Sequence, residues 1–264
     1  MSKVPNRYAV LIEDIFSAHF SPGMSEFGFN RDELTTTAAA LGIVLPKNLG
    51  DVLYSFRYRT PLPRSITKTA QPGKVWMIEG AGRGRYRFRQ VRASRIEPDA
   101  AMLPIKVPNA TPEILLANAF DDEQALLAKV RYNRLIDLFL GITAHSLQNH
   151  LRTTVKGIGQ IEIDELYVGL DRRGRQFIVP VQAKVGKDQH GIVQSQQDIA
   201  FCAERFPELI CRPVSVHTLS GDRIALFELT LSDGEIRIVD QKHYKLVPAA
   251  EITPEDLRRY GTGS

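Results

Sequence analysis

The chain has 264 residues, 43% apolar and 24% charged, with 34 basic side chains against 30 acidic ones. That composition predicts a globular protein with room for two domains of ordinary size. It has no run of about 18 apolar residues, which excludes a spanning helix, and Met1–Arg7 has no apolar signal core, so the expected location is the cytoplasm.

Tyr8 to Phe20 has Leu11, Ile12, Ile15 and Phe16 on one helical face and ends at Pro22-Gly23. Asn30 is an N-cap candidate for a helix over 31–41, with Glu33 completing a capping-box pattern and Gly42 as the stop. A third helix is predicted over 49–57. Two helices, a short turn and a third helix resemble a helix-turn-helix, with Asn48 to Arg59 as the recognition segment. Val75 to Glu79 and Arg85 to Arg89 then flank Gly80-Ala81-Gly82-Arg83-Gly84 as a β-wing with a basic tip. That loop lacks the downstream Gly-Lys-Ser/Thr of a nucleotide-binding loop. Residues 57–95 hold eleven Lys and Arg against one acid, Glu79, so this stretch is +10 while the remainder of the chain is −6. Segregated positive charge interleaved with Tyr54, Phe56, Tyr58, Trp76, Tyr86 and Phe88 points to a polyanion. Arg57, Arg59, Arg83, Arg85 and Arg87 are the phosphate-contact candidates.

Residues 95–111, with Pro98, Pro104 and Pro108, read as a linker, and the boundary is placed near 105. Beyond it, 122–140 and 144–152 read as helices, the second running into the turn Gly157-Ile158-Gly159. Two short strands follow, 160–167 and 177–184, joined by Asp171-Arg172-Arg173-Gly174-Arg175. Alternation puts Glu162 and Asp164 on one face of the first strand, and Gln182 and Lys184 on one face of the second. A proline at 180 calls for an edge strand or a bulge. Residues 194–206 read as an amide-rich helix with Gln194, Gln196, Gln197 and Asp198, followed by strands over 210–219 and 224–231 and a short helix from Thr253. Cys202 and Cys211 have no metal-ligand spacing, and His190, in the loop after Lys184, is read as an ordinary loop histidine.

A carboxylate, a second oxygen ligand and an ammonium group on one face suit a divalent cation and a water held against a phosphodiester. Asp164 followed by Gln182-Ala183-Lys184 resembles the PD-(D/E)xK nuclease superfamily, over roughly residues 130 to 230. Gln182 stands where a second acid is more usual, and it brings an oxygen without a charge. The resemblance implies an α/β (α+β) fold, with a restriction-endonuclease-like mixed central sheet flanked by helices. A winged-helix DNA-binding domain over 1–105 would precede the nuclease domain at 106–264.

By that resemblance the protein is expected to be a Mg²⁺-dependent type II restriction endonuclease-like enzyme. Asp164, Gln182 and the Ala183 carbonyl would hold the metal, Lys184 would assist the water, and Glu162 or Glu165 would serve as a supporting acid. Gln148 would be an additional ligand from the preceding helix, and Gln194 a DNA contact. Double-stranded DNA, a homodimer and a cognate DNA methyltransferase are the implied partners, and no membrane is. The alternatives are a non-catalytic DNA-binding regulator with a degenerate nuclease fold, and a nuclease for modified, branched or RNA substrates.

Overall fold

The computed structural model describes residues 7–58, 60–92, 96, 98–99, 101–118, 122–186, 192–232 and 235–261. Arg59 and His190 lie outside them, as does part of the expected linker. The chain divides into two compact units, residues 1–94 with 154–160, and 95–153 with 161–264.

Unit 1 runs α1 (Arg7–His19), β1 (Glu26–Asn30), α2 (Arg31–Ala40), α3 (Gly50–Tyr58), α4 (Arg64–Thr67), β2 (Lys74–Gly80) and β3 (Arg85–Arg92). The strands form an antiparallel sheet in the order β1-β3-β2. The apolar stripe of α1 is fully buried, against Phe29, Leu34, Leu53, Trp76, Ile78 and Phe88. Phe16 meets both Trp76 and Phe88 edge to face at centroid separations of 5.1 and 5.0 Å. Truncating Phe88, which has no exposed surface, would cost about 3–5 kcal/mol. At the start of α2 the Asn30 amide donates to Glu33 Oε1 at 2.7 Å, one half of the expected capping box. Strand β1 has no counterpart among the predicted elements.

Unit 2 contains β4 (Ile105–Pro108), α5 (Glu113–Ala117), α6 (Asp122–Tyr132), α7 (Leu135–Leu140), β5 (Thr143–Val155) and β6 (Gly159–Leu170) except for their shared tip over 154–160, which belongs to unit 1, and then β7 (Gln176–Lys184) and α8 (Ile192–Arg205). It continues with β8 (Ile210–Cys211), β9 (Val214–Leu219), β10 (Arg223–Ser232), β11 (Glu235–Val247), a 3-10 turn at Ala249–Glu251 and α9 (Pro254–Gly261). The result is a mixed α+β architecture. One sheet runs in the order β4-β11-β10-β9-β7-β6-β5, with β8 also paired to β7. Pairing is antiparallel for β6–β7, β9–β10 and β10–β11, and parallel for β7–β9 and β4–β11. On one face α6 and α7 bury Leu127, Val130, Leu135 and Ile136 with Val179, Val181, Ala183, Val214 and Val216. Helix α8 packs against β7, β10 and β11 on the other face. Among the described residues no helix is long and apolar enough to cross a membrane.

Four expectations are corrected. Residues 144–152 are not helical but belong to the 13-residue strand β5. Ala144, Leu147 and Leu151 have helical spacing, yet most of the segment is exposed and no helical face is buried. Backbone pairing with β6 decides the conformation instead, and Gly169 permits it, since a Cβ there would lie 2.7 Å from Thr143 O. Gln148 therefore sits on an exposed strand position, not on a helix. The predicted 122–140 helix is two helices, broken at Arg134 in a left-handed conformation (φ 50°). The linker holds β4, which pairs with β11.

Finally, Pro180 lies neither on an edge nor in a bulge. Strand β7 is interior, and its register with β6 is unbroken from Gln176 to Val181. Ile178 O accepts from Arg212 N, so residue 178 and, two residues on, residue 180 aim their backbone groups toward β8 and β9. Strand β8 pairs with 177 and 178, and β9 with 181 to 184. Pro180's missing donor thus falls at the break between them.

Candidate active site

The motif lies where β6 and β7 part. Their backbone register ends at Glu165 opposite Val181. One step further, where Asp164 would face Gln182, a side chain takes over: Ala183 N–H donates to Asp164 Oδ2 at 2.7 Å. The Ala183 carbonyl, on the same edge of β7 as its N–H, therefore also turns toward Asp164's strand. Alternation places Gln182 and Lys184 opposite the face that carries Val181 and Ala183, under α8.

Gln182 is 1% exposed. Its Nε2 donates to the Glu162 carbonyl at 2.9 Å and to Asp198 Oδ2 on α8 at 3.1 Å. Both amide protons are used, which fixes which end of the amide is nitrogen. The other end, Oε1, is buried and has no hydrogen-bond partner. A buried acceptor left unmade costs about 1–3 kcal/mol, and an amide oxygen at this place in the motif is a hard ligand for a divalent cation.

Burial raises the Asp164 carboxyl above its ordinary value, and the Lys184 ammonium and the Ala183 N–H oppose that rise. Asp198, fully buried, is raised well above the usual carboxylate range by desolvation, against the Gln182 donor and with the charge of Asp164 adding to the rise. His217, opposite Lys184 in the β7–β9 register, is 6% exposed and bonded to Ser215 Oγ at 2.8 Å. Burial, and then the Lys184 charge, push its imidazole down to about 4, so it is neutral near pH 7.

The two supporting-acid candidates part company. Glu162 shares the face of Asp164, and its Oε1 accepts from Arg152 Nε at 3.1 Å. Glu165 points to the opposite face, where its fully buried carboxylate accepts from Arg131 Nε of α6 at 2.7 Å. Asp164, Gln182, Ala183 and Lys184 are thus brought together, joined by Asp198, Ser215 and His217, which sequence reasoning did not assign to the site. His150, an exposed residue of β5, lies close enough to favour ionised Asp164. Asp198 had one sequence signal, an acid among amides, but its connection to Gln182 spans 16 residues.

Among the described residues, no group of three or more His, Cys, Asp and Glu side chains is arranged to hold a metal ion. A cation here would rely on Asp164, the Gln182 amide oxygen and backbone carbonyl oxygen, a donor set suited to a hard ion.

Of the basic candidates in unit 1, Arg83 is exposed in the β2–β3 loop and Arg57 is in the last turn of α3. The Arg85 guanidinium lies over Gly82. Arg87 is held by Glu79 at 3.0 Å and by Glu26 at 3.7 Å, and Arg89 also binds Glu79. Gln194, in the first turn of α8, is half-buried. No protein-family model, curated protein or solved structure matches the chain.

Proposed function

We propose that the protein is a Mg²⁺-dependent DNA endonuclease of the restriction-endonuclease type, with its centre at the mouth of β6 and β7. The observation that carries this reading is the buried, partnerless Oε1 of Gln182, on the face it shares with Lys184 and beside Asp164. Asp164, Gln182 Oε1 and the Ala183 carbonyl would hold the cation. When bound, Mg²⁺ offsets phosphate charge and lowers the pKa of a coordinated water. Lys184 places its ammonium to orient that water or steady the charge that develops on phosphate. Asp198 and the Glu162 carbonyl grip the amide nitrogen and so leave Oε1 as the end of the amide without a partner. Glu162, already on that face, is the supporting acid in preference to Glu165, which Arg131 engages on the other side of the sheet.

Unit 1 would grip the DNA as a winged-helix domain. Its element order, α1-β1-α2-α3-α4-β2-β3 with the sheet ordered β1-β3-β2, supports that reading, as does its excess of arginine. Cutting both strands takes two such centres, and hence a homodimer.

One observation favours a second reading, a DNA-binding regulator with a silent site. The described residues provide no cluster of three acids or histidines for a metal. Incubating supercoiled plasmid with Mg²⁺ or EDTA separates the two. The nuclease reading expects Mg²⁺-dependent nicking or linearisation that falls by about 10²–10³ in Lys184→Ala. DNA binding without cleavage in any metal would support the regulator.

A further inference from the structure

Unit 1 contains a cavity of about 530 Å³, lined by residues of that unit alone. The size is that of a small-molecule site. Its walls are the first residue of α2, the α3 helix, the β2–β3 loop and the turn over 154–160. That turn seats tightly on β2, because a Cβ on Gly80 would lie 2.1 Å from Ile158 O.

Arg31, Arg57, Arg83 and Lys156 line the cavity against one acid, Asp51, whose Oδ1 already accepts from Asn48 Nδ2 at 2.8 Å. The Nε of Arg31 is buried with no hydrogen-bond partner, although its guanidinium is built to meet an oxyanion with paired donors. Tyr54, 37% exposed, and Tyr86 put two flat rings beside these cations. Guanidinium groups with adjacent aromatic rings are the chemistry that receives a phosphate and the base attached to it. The loop is no nucleotide-binding loop of the Gly-Lys-Ser/Thr kind, so recognition rests on the arginine side chains.

We infer that this cavity of unit 1 binds a single phosphorylated nucleoside, its phosphate at Arg31 and Arg83 and its base against Tyr54 and Tyr86. The occupant is either a free nucleotide or one unpaired nucleotide of a nucleic acid chain. The inference does not depend on cleavage at β6 and β7.

The test uses the full chain in EDTA, so that no hydrolysis occurs. Binding of dCMP, dAMP and inorganic phosphate is measured by calorimetry, and binding of a fluorescein-labelled single-stranded oligonucleotide by anisotropy. Thermal melts of each variant establish that it is folded. Saturable mononucleotide binding, at least tenfold weaker in Arg31→Gln and Arg83→Ala, identifies the free nucleotide as sufficient. Oligonucleotide binding alone, weakened at least tenfold by Arg31→Gln and by Tyr54→Ala, identifies the nucleotide within a chain. In the first case Tyr54→Ala also weakens mononucleotide binding while leaving phosphate binding unchanged. The inference is overturned if folded Arg31→Gln, Arg83→Ala and Tyr54→Ala all bind nucleotide and oligonucleotide as the native chain does, or if the native chain binds neither.

Discussion

The basic strand of unit 1 and the motif of unit 2 handle charge in opposite ways. Around β3 the sequence has its greatest charge excess, yet one buried acid, Glu79, engages both Arg87 and Arg89. Around β7 the motif is close to neutral, yet Asp164, Gln182 and Asp198 are 8, 1 and 2% exposed. Net charge describes a field that draws in a polyanion over a distance. A buried polar atom without a partner describes a specific place, because folded proteins rarely leave one unexplained.

The largest expected effect tests whether unit 2 depends on answering its buried charge. Arg131→Ala leaves the fully buried Glu165 uncompensated and should cost about 3–5 kcal/mol in urea unfolding. Glu165→Gln should cost less, because the charge that remains, on Arg131, is a third exposed to water. Equal losses in the two variants would put the stability in packing and not in the ion pair.

Next is the pH response of the same sheet. His217 falls from an ordinary 6.5 to about 4 in the folded chain. Between those values the unfolded chain binds more protons, so this contribution is complete above pH 6.5 and is lost as pH falls toward 4, about 3 kcal/mol in all. Asp164 and Asp198 act oppositely. Their raised values mean that the folded chain holds protons longer, and their contribution declines as pH rises above the ordinary carboxylate range. Unfolding of His217→Asn compared at pH 7 and pH 4.5 should show a smaller acid loss than the native protein. An unchanged loss would assign the acid sensitivity elsewhere.

Asp198→Ala gives a smaller effect. It frees one Gln182 amide proton, so the Mg²⁺ concentration for half-maximal cleavage should rise about 10–100-fold, with the saturated rate little changed. Asp198→Asn, which keeps an acceptor oxygen, should recover most of the loss.

Least of all, Arg83→Ala should lower the salt dependence of DNA affinity by about one counterion. Arg87→Ala should lower it less, because Arg87 is bound to Glu79 and Glu26. Identical slopes would mean that the two acids do not compete with phosphate for it.

The parts of the molecule that sequence disclosed are those governed by local pattern. Alternation along 160–167 and 177–184 places Asp164, Gln182 and Lys184 correctly in β6 and β7, and the spacing of Leu11, Ile12, Ile15 and Phe16 gives α1. Where partners are distant, pattern failed. Strand β5 looks helical because its conformation is set by pairing with β6, and β4 reads as a proline linker because its partner β11 lies more than 130 residues away. Asp198 reads as one more polar residue on a helix, and only the fold brings it to Gln182. Pro180 is correctly a strand problem, but its solution, the break between β8 and β9, involves residues that pattern does not connect.

The most direct test of the central claim removes the oxygen and keeps the shape. In Gln182→Leu, supercoiled plasmid cleavage is followed across a Mg²⁺ titration beside the native protein. The account predicts Mg²⁺-dependent cleavage by the native chain and a requirement raised at least about tenfold, or activity lost, in the variant. Cleavage by Gln182→Leu at the native Mg²⁺ requirement would contradict the assignment of that amide as a ligand.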